Sequence, residues 1–562
     1  MSTSDKQIVV GSSRSGGLLL LLTLVPILSL SLWLRDQDAL IFTSNAFRGF
    51  SLLFFGFFVA VFALLSWKGE LPAVRLPRSW VMAIGLWMLV SVLAAIFSQW
   101  PQRGLVRQAE WFGWMAACIV MVVASRQWAW WNISVFILAL IGWGYVTVES
   151  LLLVLDHGAL SNEPWDNQAW TQGVIPGCRN VRHFGYACAF ATMTLAVLPL
   201  LGGSRWWFRH GAWLVWGIAW ATVFWGGGRG PFVACVISSL LLLILVPRAQ
   251  RWNYSWSLAF AFVVGIFFAL IFPAGDSLST FGPLRILFPA SEVVSAGADA
   301  ISSGRLSIWQ ALLTHWAEKP WFGVGPDTVI VTFNGGIIQP HSVFVQVLLD
   351  WGVIGAATVL LCLALILRNR LAFYRDNRKP MGIENLSSQW SFFITWLSAM
   401  VGLSFFSLVD GIFYYAWPMW LICSITGWAF PASIKVMEKQ PLIGQKRAAI
   451  PPLGFALIAA FVLAMAIFHL GSGKALQSAS PTTLSEIPKI TRWFPSYDNE
   501  DQRCAWIRSI AKNNLADGIA FARECAHRCS QPWQYLVVAA KCAGEQGETE
   551  LEQKLLIEVR GQ

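Results

Sequence analysis

Charge is what this sequence has least of. Only 12% of its 562 residues are Asp, Glu, Lys or Arg, whereas 56% are hydrophobic and the mean hydropathy is +0.57. A soluble domain carries about a quarter charged residues, so an ordinary water-soluble fold is excluded. No Walker-type phosphate loop, HExxH or serine-elbow motif occurs, which disfavours nucleotide hydrolysis and zinc hydrolysis. The first apolar run, "GGLLLLLTLVPILSLSLWL" after Lys6 and Arg14, has no small-residue cleavage site behind it. It is therefore expected to be an uncleaved first span. The net charge of +10 raises nucleic acid as a partner, but the last ninety or so residues are nearly balanced. The excess lies in short loops between apolar runs, as orientation signals do.

What is present is apolar length. Runs of roughly 17 to 20 residues, the reach of a hydrocarbon core, recur along most of the chain, with 33 Trp and 38 Phe among them. The pattern predicts an all-α polytopic membrane protein. About thirteen spans are expected, near 17–34, 50–66, 79–97, 109–125, 129–149, 184–202, 211–225, 231–247, 255–274, 341–367, 391–409, 412–430 and 451–470. With the N-terminus (1–16) inside, the inner loops collect Lys68, Arg75, Arg78, Arg126, Arg205, Arg209, Arg248 and Arg251. They also collect the cluster from Arg368 to Lys379, and Lys435, Lys439, Lys446 and Arg447. The membrane region is then 17–470, with long outer loops at about 150–183 and 275–340, and the tail, 471–562, lies outside.

The tail reads as helices, in "NEDQRCAWIRSIAKNN", "LADGIAFARECAHRC" and "QPWQYLVVAAKCAGEQG", with apolar residues three and four apart. Cys504, Cys525, Cys529 and Cys542 cluster there. An oxidising compartment favours disulfides over free thiols, with three possible pairings. Paired zinc-ligand spacing is lacking.

Basic residues on the outer side oppose the orientation trend, so they are the first candidates for function. "GCRNVRHFGYA", 177–187, offers Arg179, Asn180, Arg182 and His183; snorkelling interfacial arginines are the plainer account. "WGGGRGPF", 225–232, sets Arg229 among glycines in a tight turn, where backbone can approach a ligand. "SSGRLSIWQALLTHWAEKPWFGVGPDTV", 302–329, opens an interfacial amphipathic segment with Arg305 and carries a Gly-x-Gly turn that is weak evidence for phosphate binding. "IIQPHSVFVQVLLDWGVIG", 337–355, places His341 where a span begins, with Ser342 at the capping position and Asp350 two turns on. There Gly352 and Gly355 allow close helix packing. Asp410 ends the eleventh span, and an acid there is a functional candidate by default. Arginine forks match phosphate oxygens, and a histidine can take a proton near neutral pH, which suits a lipid-linked phosphate or diphosphate.

These blocks resemble the O-antigen ligase and O-antigen polymerase superfamily, which includes bacterial protein O-oligosaccharyltransferases. The hallmark is His341-Ser342, nine residues, then Gly352-x-x-Gly355. Arg305-x-x-x-Trp309 and the Gly-x-Gly-Pro turn match, and "GGGRGPF" is similar to a Ser-Arg-Gly turn with Gly228 in place of serine. The similarity covers about residues 175–420. It implies a GT-C-like helical fold in a bacterial inner membrane, so that the outer side, where charge topology puts the tail, is the periplasm, and no metal or other cofactor. It also implies transfer of a glycan from undecaprenyl diphosphate to an acceptor hydroxyl on the periplasmic face. The acceptor would be a growing polysaccharide, lipid A–core or a protein such as pilin. Carried over residue by residue, His341, Arg229 and Arg305 take the catalytic roles. Asp410 is a looser match. With Ser342, Arg179, Arg182 and His183 it forms the expected substrate-binding set. The competing class is a transporter of polysaccharide or lipid-linked solute, which should place broken helices and ionisable groups near the midplane in paired half-repeats.

Overall fold

A computed structural model describes residues 15–22, 45–71, 74–98, 101–128, 130–156, 181–201, 206–226, 228–271, 305–326, 331–333, 336–338, 340–378, 388–410, 416–429, 447–477, 485, 500–528 and 532–560. After a first helix, α1 (15–22), the long apolar runs become α2 (Asn45–Trp67), α3 (Arg78–Ile96), α4 (Pro101–Gln127), α5 (Trp131–Asp156), α6 (Val181–Leu195), α7 (Trp206–Gly226), α8 (Arg229–Leu245) and α9 (Arg248–Ile271). Then follow α10 (Arg305–Ala317), α11 (Val343–Arg378), α12 (Ser388–Val409), α13 (Ala416–Thr426) and α14 (Pro452–Gln477). Backbone polar groups in hydrocarbon must be satisfied within the segment, which is why these runs become helices. Among the described residues, seven helical segments are long and apolar enough to cross a membrane: 78–96, 103–127, 184–201, 248–271, 343–372, 390–409 and 452–470. Shorter apolar helices lie at 51–67, 131–145, 229–245 and 419–429. The chain is an all-α polytopic membrane protein.

Two short antiparallel pairings accompany the helices. β1 (Val74–Pro77) pairs with β4 (Arg447–Ile450), Val74 opposite Ile450, and so clips the start of α3 to the start of α14. β2 (Val331–Phe333) pairs with β3 (Gly336–Ile338) just before His341.

The membrane helices pack as two apolar halves. One gathers Trp143, Phe184, Tyr186, Trp216, Trp220, Phe224, Cys235, Phe393, Leu403 and Phe406, from α5 to α9 and α12. The other gathers Phe55, Phe58, Phe62, Ala116, Met121, Trp420, Phe455 and Val462, from α2, α4, α13 and α14. A third cluster joins α3, α4 and α11 through Trp87, Trp111, Phe112 and Trp351.

Twelve of the thirteen expected spans coincide with helices; for 17–34 the description stops at residue 22. One boundary differs instructively. The fourth helix starts at Pro101, not near 109, because Arg103, Arg107, Gln108 and Glu110 are buried in protein rather than set in a loop. Such groups inside a membrane protein face the bundle interior and pair with one another.

In the tail, α15 (Glu500–Asn513), α16 (Leu515–Arg528), α17 (Pro532–Glu545) and α18 (Thr549–Arg560) form successive hairpins. They close over Trp506, Ile507, Ile510, Phe521, Tyr535, Leu536 and Leu555. Of the four tail cysteines expected to form disulfides, Cys525 and Cys542 are buried in this core and Cys504 packs against it. Cys529 lies outside the described residues.

Candidate functional site

The site is built around a helix that starts under strain and breaks after nine residues. Pro340 and His341 precede α11. His341 has φ +45°, a left-handed conformation that a non-glycine residue adopts at a cost. What holds it there is contact on both sides. The Trp309 indole of α10 donates to the Pro340 carbonyl at 2.7 Å, and buried Ser342 opens the helix by accepting from the Gln346 amide at 2.9 Å.

The helix then breaks at Gly352, with φ 65° and ψ −167°. The turn 320–325 fills the break. Val324 and Gly325 donate their amides to the Leu349 carbonyl (2.8 and 3.3 Å), while Val353 and Ile354 donate to the carbonyls of Pro320 and Trp321 (2.9 and 3.3 Å). Broken helix ends leave orphan donors and acceptors, and this turn satisfies several of them. Its Val324 and Gly325 amides are therefore committed to backbone rather than aimed at a phosphate. A side chain at Gly352 would run into the Trp321 carbonyl, and one at Gly323 into the Leu349 carbonyl. Gly352 is thus a break point as well as a place of close packing. Leu312, Val324, Val345 and Leu349 seal α10, the turn and the first half of α11 together.

Asp410 follows α12 and reaches this strained residue from the other half of the bundle. Its Oδ1 lies 3.6 Å from His341 Nδ1. That is ion-pair range but longer than a formed hydrogen bond; catalytic contacts are often long before substrate binds. The same Oδ1 accepts a 2.8 Å hydrogen bond from the Tyr186 hydroxyl of α6. Asp410 is 4% exposed and Tyr186 2%, whereas the His341 side chain keeps 22% of its surface accessible. The carboxylate is therefore enclosed and the imidazole reachable.

Small residues allow this convergence. A Cβ on Gly230 would come within 2.7 Å of Phe406, one turn before Asp410, and a Cβ on Gly185 within 2.8 Å of Pro231. The "GRGP" turn thus draws α8 against both α6 and α12, and Tyr186 packs against Phe406 with ring centroids 5.4 Å apart. Arg229, the first residue of α8, is exposed at this same end. Arg305 is the first residue of α10, partly buried, on the helix whose Trp309 holds Pro340.

The sequence-chosen residues separate accordingly. His341 and Asp410 come together directly, Ser342 follows His341 in the chain, and Arg229 and Arg305 begin the helices that flank them. Arg179 lies outside the described residues. Arg182 and His183 fall in the first turn of α6, with side chains outside the description. Asp350 is buried and accepts from Gln346 Nε2 at 3.3 Å.

Tyr186 was missed by sequence reasoning. A tyrosine in an apolar helix reads as core; the available signal was its place in "RHFGYA", four residues after Arg182. Also missed was a buried polar set on α4. Arg107 pairs with Glu110 at 2.5 Å and stands 5.4 Å above the Trp111 ring, which in turn packs on Trp351. Among the described residues, no three His, Cys, Asp or Glu side chains converge as a metal would require.

Residues 213–360 match the family model described as O-antigen ligase. The matched segment begins within α7 and ends in α11, so it contains Arg229, Arg305, His341, Ser342 and the break at Gly352. Tyr186, Asp410 and the α4 pair lie outside it. No curated protein matches the chain.

Proposed function

We propose that this protein transfers a glycan from undecaprenyl diphosphate to an acceptor hydroxyl, as an O-antigen or exopolysaccharide ligase or polymerase. The O-antigen ligase domain supports glycan transfer of this general type. The observation that carries the specific reading is the approach of Asp410 to His341, a strained yet accessible imidazole. In this reading Asp410, beside Nδ1, orients the imidazole and leaves Nε2 as the base.

The acceptor hydroxyl gives its proton to His341 Nε2 as its oxygen bonds to the anomeric carbon. The bond from that carbon to the diphosphate oxygen breaks, and undecaprenyl diphosphate leaves with the electron pair. Arg229 and Arg305 hold the diphosphate and offset the charge that grows on it. Arg179, Arg182, His183 and Ser342 complete the donor and acceptor contacts. The reaction runs at the periplasmic face of a bacterial inner membrane, beside which the tail 471–562 is placed. The test is transfer by His341→Ala and Arg229→Ala at wild-type expression; full activity in both sinks the proposal.

One observation favours transport as the rival. The break at Gly352 beside buried Asp350 and Gln346 has the form of a discontinuous transporter helix. Against it, carbonyls and amides at that break are tied to the turn 320–325 rather than turned toward a solute. A protein hydroxyl is the other acceptor to test, by comparing lipopolysaccharide, exopolysaccharide and pilin mass in a deletion strain.

A further inference from the structure

We infer that Tyr186 is a positioning residue for the transfer reaction, setting the proton affinity of His341 through Asp410. The inference rests on the proposed role of His341 as proton acceptor.

Three elements far apart in sequence meet at one oxygen. The Tyr186 hydroxyl and His341 Nδ1 both approach Asp410 Oδ1, at 2.8 and 3.6 Å. A hydrogen bond donated to a carboxylate stabilises its charged form. Tyr186 therefore keeps Asp410 ionised in an enclosed place and draws off part of its negative charge. Less of that charge then faces the imidazole across the 3.6 Å approach. Packing alone does not require the hydroxyl, because the ring is already seated against Phe406 and in the apolar cluster of α5 to α9 and α12.

Other charged or titratable groups stand on the elements around Asp410. They are Arg229 at the start of α8, Arg305 at the start of α10, Arg182 and His183 in the first turn of α6, and Asp350 in α11. Removing the Tyr186 hydroxyl leaves all of these in place, which makes Tyr186→Phe a clean perturbation.

The experiment follows glycan transfer against external pH in spheroplasts of the native host, which supply their own donor and acceptor. Wild type, Tyr186→Phe and His341→Ala are compared. In Tyr186→Phe the carboxylate is less stabilised and the imidazole holds its proton to higher pH. The acidic limb of the rate profile is expected to move up by about half a pH unit or more. Activity lost near neutral pH should return on the alkaline side. As a second variant, 3-fluorotyrosine at position 186, a stronger donor, should move the limb the opposite way. A merely structural tyrosine would lower the rate equally at every pH. That outcome, or an unmoved limb in both variants, overturns the inference while leaving His341 intact. Wild-type transfer by His341→Ala would overturn the underlying reading and this inference together.

Discussion

Two buried polar groups in the membrane region make a useful contrast. Arg107 and Glu110 sit three residues apart on α4, and one turn of helix brings them together. Tyr186, His341 and Asp410 come from three separate elements, with the tyrosine and the aspartate 224 positions apart, and one of them carries a left-handed backbone. The first group neutralises itself locally, which is what a structural ion pair needs. The second can be assembled only by the whole fold, and it leaves its basic member partly exposed. Distant convergence with strain motivates the hypothesis of function made above; a local pair is what a helix needs to solve its own burial problem.

The contrast can be broken most completely where the two groups share a support. Trp351 packs on the α4 side and His341 opens the same helix, with Gly352 at the break between its halves. Gly352→Val should abolish folding, read as loss of membrane-inserted protein on detergent extraction, since its side chain meets the Trp321 carbonyl at a positive φ. Away from that joint the groups should part. His341→Ala should lower transfer by roughly 10²- to 10⁴-fold with an unchanged melting temperature. Glu110→Ala should do the reverse. It leaves the Arg107 guanidinium, 1% exposed at its side chain, without its carboxylate. The cost is about 3–5 kcal/mol, seen as a lower melting temperature, and the Arg107→Met/Glu110→Leu double variant should recover most of it. The smallest effect belongs to the tail. Burial, together with nearby Glu545, pushes the Cys542 thiol up. The folded tail therefore holds this proton more tightly than the unfolded chain, and stability falls as pH rises past the ordinary thiol range. Mass-mapped alkylation at pH 8 should find Cys542 slower than a free cysteine.

Much of this fold was legible because apolar length is a strong signal in a chain with so little charge. His341 was placed within two residues of its helix start and Arg305 at the start of its own, whereas Arg229, read as a turn residue, is the first residue of α8. What stayed hidden depends on pairing and on backbone geometry. Arg103 and Arg107 read as loop because sequence does not show that protein, rather than lipid, surrounds them. The break at Gly352 was hidden because its stabilising partner is a turn some thirty residues upstream. Tyr186 looked like one more apolar core residue, since its hydroxyl acquires meaning only when α12 delivers Asp410.

The central claim is that His341, seated by Asp410, accepts the proton of the acceptor hydroxyl. Its most direct test is the initial rate of glycan transfer by purified full-length wild-type and His341→Ala proteins. The assay supplies an undecaprenyl-diphosphate-linked oligosaccharide and purified lipid A–core, polysaccharide or pilin acceptor in separate reactions. The account predicts transfer to one acceptor by the wild type and a loss of at least about a hundredfold in the variant. Equal rates for the two proteins would contradict it.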